Sequence, residues 1–458
     1  MAETTGKKQG FTWRHIMVVF TCAIGIFTST AITFSCAGLT YVPISEQMGI
    51  ERIQITFYMT CTYLAEVVFS PVVGAMLERL DIRIVAVSCA AAAALAEFLM
   101  STNTIYWQWY YCGVLLGYGQ IGILWLIMAG VIGRWYKDLT ALMIGICSAM
   151  TGIGGAVFNI VGQTVLGPNL LTEETWRDLY RVFCICIIAG TIPWQILFLR
   201  SHPDDCGLKA YGELIDANAE VQEEEVLYGY TPTEAYKTWY FWALCVFGAT
   251  TNVCGIYPQH FTAFYQGFVA IDNESMQAAI AAAADPSTVV LADYSIPEFM
   301  AMSGTLEAFA MVGMALGKVV TGAVESKTAM GAFILGAVTG IGGIIAMWMG
   351  GTAKILPILW GGGFIYGCMY AWVTVVLPWL TRQLFGDLHY DQIYSVVLIP
   401  TNLVGAFAAG GLALIYQGPG WSAYWLVAIA FVVVSFLLAV VVYKSGRPKY
   451  VEKFGERI

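Results

Sequence analysis

A chain of 458 residues that is 58% hydrophobic and 12% charged, with a mean hydropathy of +0.69, departs from soluble domains, in which about a quarter of residues are charged. The composition is that of a polytopic membrane protein. The net charge of -9 is no guide to a basic partner, since nine of the 31 acids fall between Asp204 and Glu234, and the lack of any basic stripe argues against a nucleic-acid ligand.

A helix needs about 20 apolar residues to cross the hydrocarbon, and twelve runs qualify: 15–42, 53–77, 83–102, 106–133, 139–165, 179–199, 238–266, 298–322, 328–349, 355–380, 391–416 and 421–443. The first run is too long for a cleavable signal and lacks a small-residue exit site, so it is its own signal. With the N-terminus inside, 18 of the 22 Lys and Arg residues fall on inner segments and four (Arg52, Arg177, Arg181 and Lys354) on outer ones. The positive-inside rule then puts both termini in the cytoplasm, and the reading is a multi-pass protein of a prokaryotic cytoplasmic membrane. The domains expected are a six-helix bundle over 1–200, an acidic linker over 201–237, and a second bundle over 238–458 with an outer-loop insertion at 267–297.

In chain order, span one offers Thr28, Ser29 and Thr33. Span two carries Glu66 beyond the midplane and closes on Glu78 and Arg79. Glu97 of span three lies past an alanine run, within reach of the interface. Span four presents Tyr111, Tyr118, Gln120 and Trp125 and ends at Arg134. In span five, Gly145, Ala149, Gly152 and Gly155 recur on one helical face, where small residues admit a neighbouring backbone. Span seven supplies Asn252, Tyr257, Gln259 and His260, interrupted by Pro258. The insertion holds acids such as Asp272 and Glu274 without Lys or Arg, and reads as a solvated loop.

Span eight is the most informative. Glu307, Met311, Met314 and Lys318 share one face, with the two charges about 16 Å apart along the axis. Such a face must line protein or water rather than lipid. Span ten follows with a Tyr366, Tyr370 and Thr374 stripe, and span eleven contains no basic residue. Glu78, Arg79, Arg134 and His260 are candidate gating groups, and Glu66 and Glu307 candidate proton carriers.

The halves echo each other. "SPVVGAMLERLDIR" matches "KVVTGAVESKTAMG" at an offset of 248 from Gly74 to Gly322, and "KDLTALMIGICSAMTGIGGA" matches "GDLHYDQIYSVVLIPTNLVGA" at 249 from Asp138 to Asp387. Two parallel six-helix repeats describe an all-α membrane protein of twelve transmembrane helices, the major facilitator architecture. The motifs "RWYKDLTALMIGICSAMTGIGGAVF", "LRSHPDDCGLKAYG", "LFGDLHYDQIYSVV" and "YVPISEQMGIERIQITF" resemble the monocarboxylate porter and oxalate:formate antiporter branch of that superfamily. The "GAMLERLDIR" loop keeps the acidic–basic pair of the superfamily's loop between spans two and three but departs from it at the end, where glycine and further basic residues are expected.

That resemblance implies a substrate-binding role for Lys318, at a position where the porters typically have an arginine that binds the substrate carboxylate. It implies secondary transport of a small organic anion, by proton symport or exchange. The antiporters' lysine in span eleven is missing here, and a single central cation favours a monoanion over a dianion. Tyr366, Tyr370, Tyr118, Gln120, Tyr257, Asn252 and Thr28 are the further substrate-binding candidates, suited to a flat or partly apolar carboxylate. An amine or neutral phenolic cargo, or a sensor that kept the fold and lost transport, are the alternatives. The twelve cysteines read as packing residues, and no nucleotide fingerprint, metal cluster or nucleophile–base pair is evident. The expectation is a non-enzyme without metal or cofactor, functional as a monomer, whose partners are the bilayer, the cargo and a proton or counter-substrate.

Overall fold

The computed structural model describes residues 7–50, 52–166, 174–215, 228–282, 294, 296–300, 302 and 305–455. Among them, twelve helices are long and apolar enough to cross a membrane. Spans one to six are Trp13–Tyr41, Gln54–Arg79, Ile82–Met100, Gln108–Trp135, Thr140–Leu166 and Thr175–Phe198. Spans seven to twelve are Trp239–His260, Thr305–Glu325, Ala329–Thr352, Leu356–Phe385, Tyr390–Gln417 and Trp421–Phe454. The two largest differences from the limits read off hydropathy are at the start of span eight and the end of span twelve. Span eight starts later, because Pro297 opens its own short helix, Pro297–Met300. Span twelve runs on past its apolar stretch to Phe454, where Tyr450 is buried and Tyr230 packs against both rings.

The helices pack in two matching sets. Span one lies against five and six, two against four, and three against four and six. Span seven lies against eleven and twelve, eight against ten, and nine against ten and twelve, which is the same pattern shifted by six spans. Between the sets run two seams, five against eight and two against eleven, which the repeat exchanges.

The small-residue stripe of span five has two destinations. A Cβ on Gly145 would strike the Lys318 carbonyl, and one on Gly152 would crowd Ala315 and Met311, so this part of the stripe fits span eight. Gly155 and Gly154 turn instead to Ser35 and to Phe27 and Ala31 of span one. Across the same seam, Gly322 abuts the Ala141 carbonyl. Backbones this close gain dispersion and leave no room for lipid.

On the side where the chain ends lie, main-chain pairing attaches the described ends of the linker to opposite sets. Lys7–Lys8 pairs with Leu214–Ile215, and Tyr211 exchanges hydrogen bonds with the turn between spans four and five, accepting from Lys137 N at 3.0 Å and donating to Trp135 O at 2.9 Å. The Tyr211 ring stacks on Phe11 at 4.1 Å. At the other end, Tyr230 N donates to Phe385 O at 2.8 Å and Asp387 N to Tyr228 O at 2.9 Å, in the turn between spans ten and eleven. The acidic core of the linker, 216–227, lies outside the described residues, as do 283–293 of the insertion; Asn273–Ala282 within that insertion is a helix.

Replacing Gly145 or Gly322 by valine should separate the five–eight seam at a cost of about 1–3 kcal/mol. Thermal unfolding in detergent should show a clear fall in Tm for both, whereas Gly361→Ala, where the added methyl meets open space, should leave Tm unchanged.

Candidate functional site

Lys318 is buried at the meeting plane of the two sets. Its Nζ donates to the Ser148 carbonyl at 3.1 Å and to Thr151 Oγ1 at 2.8 Å, both on span five, and lies 4.8 Å from the centre of the Tyr370 ring on span ten. Ser148 Oγ in turn donates to Thr374 O at 3.5 Å. The ammonium is thus held by a carbonyl, a hydroxyl and an aromatic face, and no carboxylate among the described residues is within ion-pair distance of it. Neutral groups solvate such a cation in part, and an anion is the ligand that would complete it.

The opposite charge type comes from the other set. Glu66 of span two is 0% exposed and, among the described residues, neither carboxyl oxygen has a hydrogen-bond partner. The Trp125 indole of span four stands beside it without a well-formed bond, and Tyr63 and Tyr370 are close by. Tyr370 thus faces Lys318 and is within electrostatic range of Glu66, which draws spans two, four, five, eight and ten toward one region.

Several sequence candidates are engaged elsewhere. Gln120 is saturated by span one: its Oε1 accepts from Thr30 at 2.8 Å, and its Nε2 donates to Ser29 at 3.1 Å and Thr33 at 3.0 Å. Thr28 meets Thr191 of span six at 2.6 Å, and Tyr118 meets Ser88 of span three at 2.7 Å. In the second set, Tyr366 donates to Cys254 O at 2.7 Å, Asn252 to Thr401 O at 2.7 Å, and Tyr257 packs 4.8 Å from Tyr424. These bonds tie neighbouring helices within one set. His260, at the end of span seven, packs beside Tyr416 and Tyr424. Glu307 occupies the first turn of span eight, half-buried, where the positive end of the helix dipole favours a carboxylate. Glu97 is 3% exposed rather than at the interface, because the alanine-rich span three lets spans four and six close over it.

The polar network on the side of the chain ends is richer than Glu78, Arg79 and Arg134 alone. On the side of the chain ends, Arg134 in the last turn of span four pairs with Asp391 in the first turn of span eleven at 2.8 Å, with both side chains largely buried. Each charge also suits the dipole of its own helix end. Arg382, the repeat mate of Arg134 at an offset of 248, is 2% exposed; it pairs with Asp387 and donates to the Ala129 and Gly130 carbonyls of span four at 3.3 Å each. Glu78 accepts from Gln392 and lies 3.5 Å from His389 Nδ1, while Arg79 is exposed. Ser70 donates to Ser395 O at 2.5 Å along the two–eleven seam. The duplication offset would have found Arg382; the roles of Asp391, Ser148, Thr151 and Tyr63 carry no such signal.

Spans one, four and ten contain wide helical turns, at Ile26–Ser35, Ile121–Ile127 and Trp372–Val376, and the helical segment that follows span seven contains another, at Tyr265–Val269. Turns with i→i+5 bonding are rare and concentrate at functional sites. Here they occur in the corresponding helices of both repeats.

The family model described as Major Facilitator Superfamily matches residues 21–284. Among solved structures, the human organic anion transporter MFSD10 (TETRAN) superposes with a TM-score of 0.63 at 10% identity, covering 93% of this chain and 99% of that one. The Escherichia coli fucose:proton symporter FucP, solved as a point variant, gives 0.61 at 9% identity over 94% and 99%. At these identities the likeness is one of fold alone. No curated protein matches the sequence.

Removing one partner of a buried ion pair leaves the other charge stranded, at about 3 kcal/mol, which is a roughly hundredfold shift in a two-state equilibrium. Asp391→Asn should therefore favour opening on the side of the chain ends, read as a longer distance between spin labels on bioorthogonal residues replacing Leu80 and Leu388, both exposed there.

Proposed function

Because the chain belongs to the Major Facilitator Superfamily of transporters and buries a lone ammonium between its two helix sets, we propose that it carries a small organic monocarboxylate across the membrane by alternating access. The observation that carries the reading is the Lys318 ammonium, held only by neutral groups at the seam. Arg134 and Arg382 are committed to the gate, which leaves one cation for cargo and suits a single carboxylate. Tyr370 offers a ring face beside it, consistent with a flat or partly apolar body on the anion.

Glu66 supplies the coupling in this reading. A carboxyl without hydrogen-bond partners inside the bilayer is costly as an ion, so it travels protonated beside the bound anion. Rocking of the two sets about the seams would open the site alternately, with the Arg134–Asp391 pair and the Arg382 contacts broken when the side of the chain ends opens. That side is the cytoplasm by the positive-inside count, and the cytoplasmic membrane is the proposed location. Solved proteins of this fold are named as an organic anion transporter and a fucose:proton symporter, so anionic cargo and proton coupling both lie within its range.

The test is uptake into proteoliposomes from a panel of labelled carboxylates, amines and phenolics, with and without an imposed pH gradient. Lys318→Ala should weaken binding of the transported carboxylate by about 10- to 100-fold, the worth of a charge-assisted contact. Undiminished carboxylate transport in that variant, or a wild type that takes up only amines or phenolics, would overturn the reading. Glu66→Gln should abolish accumulation driven by a pH gradient, measured as the steady-state ratio of cargo inside to outside.

A further inference from the structure

Glu325 is a buried carboxyl to which nothing above gives a task. It is the last residue of span eight, yet it is 2% exposed, and among the described residues neither oxygen has a hydrogen-bond partner. Seven residues separate it from Lys318 and three from Gly322, so it continues the face that meets span five, two turns nearer the chain ends. Only two residues further on, Lys327 is exposed. The carboxyl therefore lies just inside the seal, on a seam that must part when that side opens.

Its electrostatic setting is simple. Span five carries no charged residue and one titratable one, Cys147, with Lys137 and Asp138 in the turn before it, and span nine carries no titratable one. Span ten contributes Tyr366, Cys368, Tyr370 and Arg382, and the end of span seven, which meets span eight near its far end, Tyr257 and His260. On its own helix, Glu307 and Lys318 are the other charges. None of these stands against the Glu325 carboxyl. An ion there would face the negative end of its own helix dipole without a counter-charge, so the sealed form holds the neutral acid.

Resting on the rocking of the two sets described above, we propose that Glu325 is a proton-release site of the five–eight seam. It is protonated while the side of the chain ends is sealed and loses its proton to water when that side opens. Deprotonation then stabilises the open form, so alkaline pH on that side favours opening. The pseudo-equivalent position in span two is Leu77, which makes the device one-sided.

The test needs no cargo, so it can fail independently of the carboxylate assignment. Spin labels on bioorthogonal residues replacing Leu80 and Leu388, both exposed on the side of the chain ends and on opposite sets, report opening there as a longer distance. Raising the pH from about 6 to about 8 should increase the long-distance population of the otherwise wild-type protein at least roughly fivefold. Glu325→Gln, which keeps the shape of the neutral acid, should hold the short distance at both pH values, and Glu325→Asp should restore the response. The neighbouring seam has its own titratable pair, Glu78 and His389, flanked by Arg79 and Asp391. A pH response that persists in Glu325→Gln would assign the switch to that pair and overturn the proposal, as would a parent protein whose distances do not change with pH.

Discussion

Everything at the centre of this molecule depends on one constraint: a positive charge has been placed where water is scarce, and the surrounding helices supply only partial compensation. Lys318 could not be tolerated on a lipid-facing surface, so span eight must turn it toward span five. Span five answers with a carbonyl, a hydroxyl and a run of small residues that lets the two backbones approach. The packing of the seam and the chemistry of the site are therefore one arrangement. Glycine at 145 brings the helices together, and closeness puts Ser148 and Thr151 within reach of the ammonium.

The repeat makes the contrast between the two seams informative. Two–eleven and five–eight exchange under an offset of about 248 residues, so a perfect duplication would give them the same side chains. They have diverged instead. Two–eleven is fastened by hydroxyls and by Glu78 with its partners from span eleven and the turn before it, while five–eight carries a buried lysine and a buried acid. The paired arginines at the ends of spans four and ten have kept their type but not their contacts, one gripping a carboxylate across the seam and the other reaching main-chain carbonyls. Symmetry here sets how the two seams pack, and departures from it set their chemistry.

Much of the architecture was legible in the sequence because the bilayer enforces it. A segment without water must be about 20 apolar residues of helix, and that length rule leaves few ways to parse the chain. Lys318 and Glu66 stood out for the same reason, as charges in long apolar runs. The polar and aromatic candidates were harder to sort. Gln120 facing a cavity and Gln120 serving Ser29, Thr30 and Thr33 of the next helix look identical in a string of letters. Helical periodicity cannot separate them, because the wide turns in spans one, four and ten change the rotation of every residue beyond them. Arg382 was recoverable from the duplication, whereas Ser148 and Thr151 needed the helix approach to be seen.

The linker's two anchored ends have a consequence for how this chain tolerates change. Tyr211 and the Tyr228–Tyr230 stretch are sewn to their respective turns through peptide groups, which any residue except proline can offer. The main-chain part of each stitch therefore survives a change of side chain, and a proline at Tyr211 or Tyr230, which would remove the donating N–H, is the substitution that undoes it.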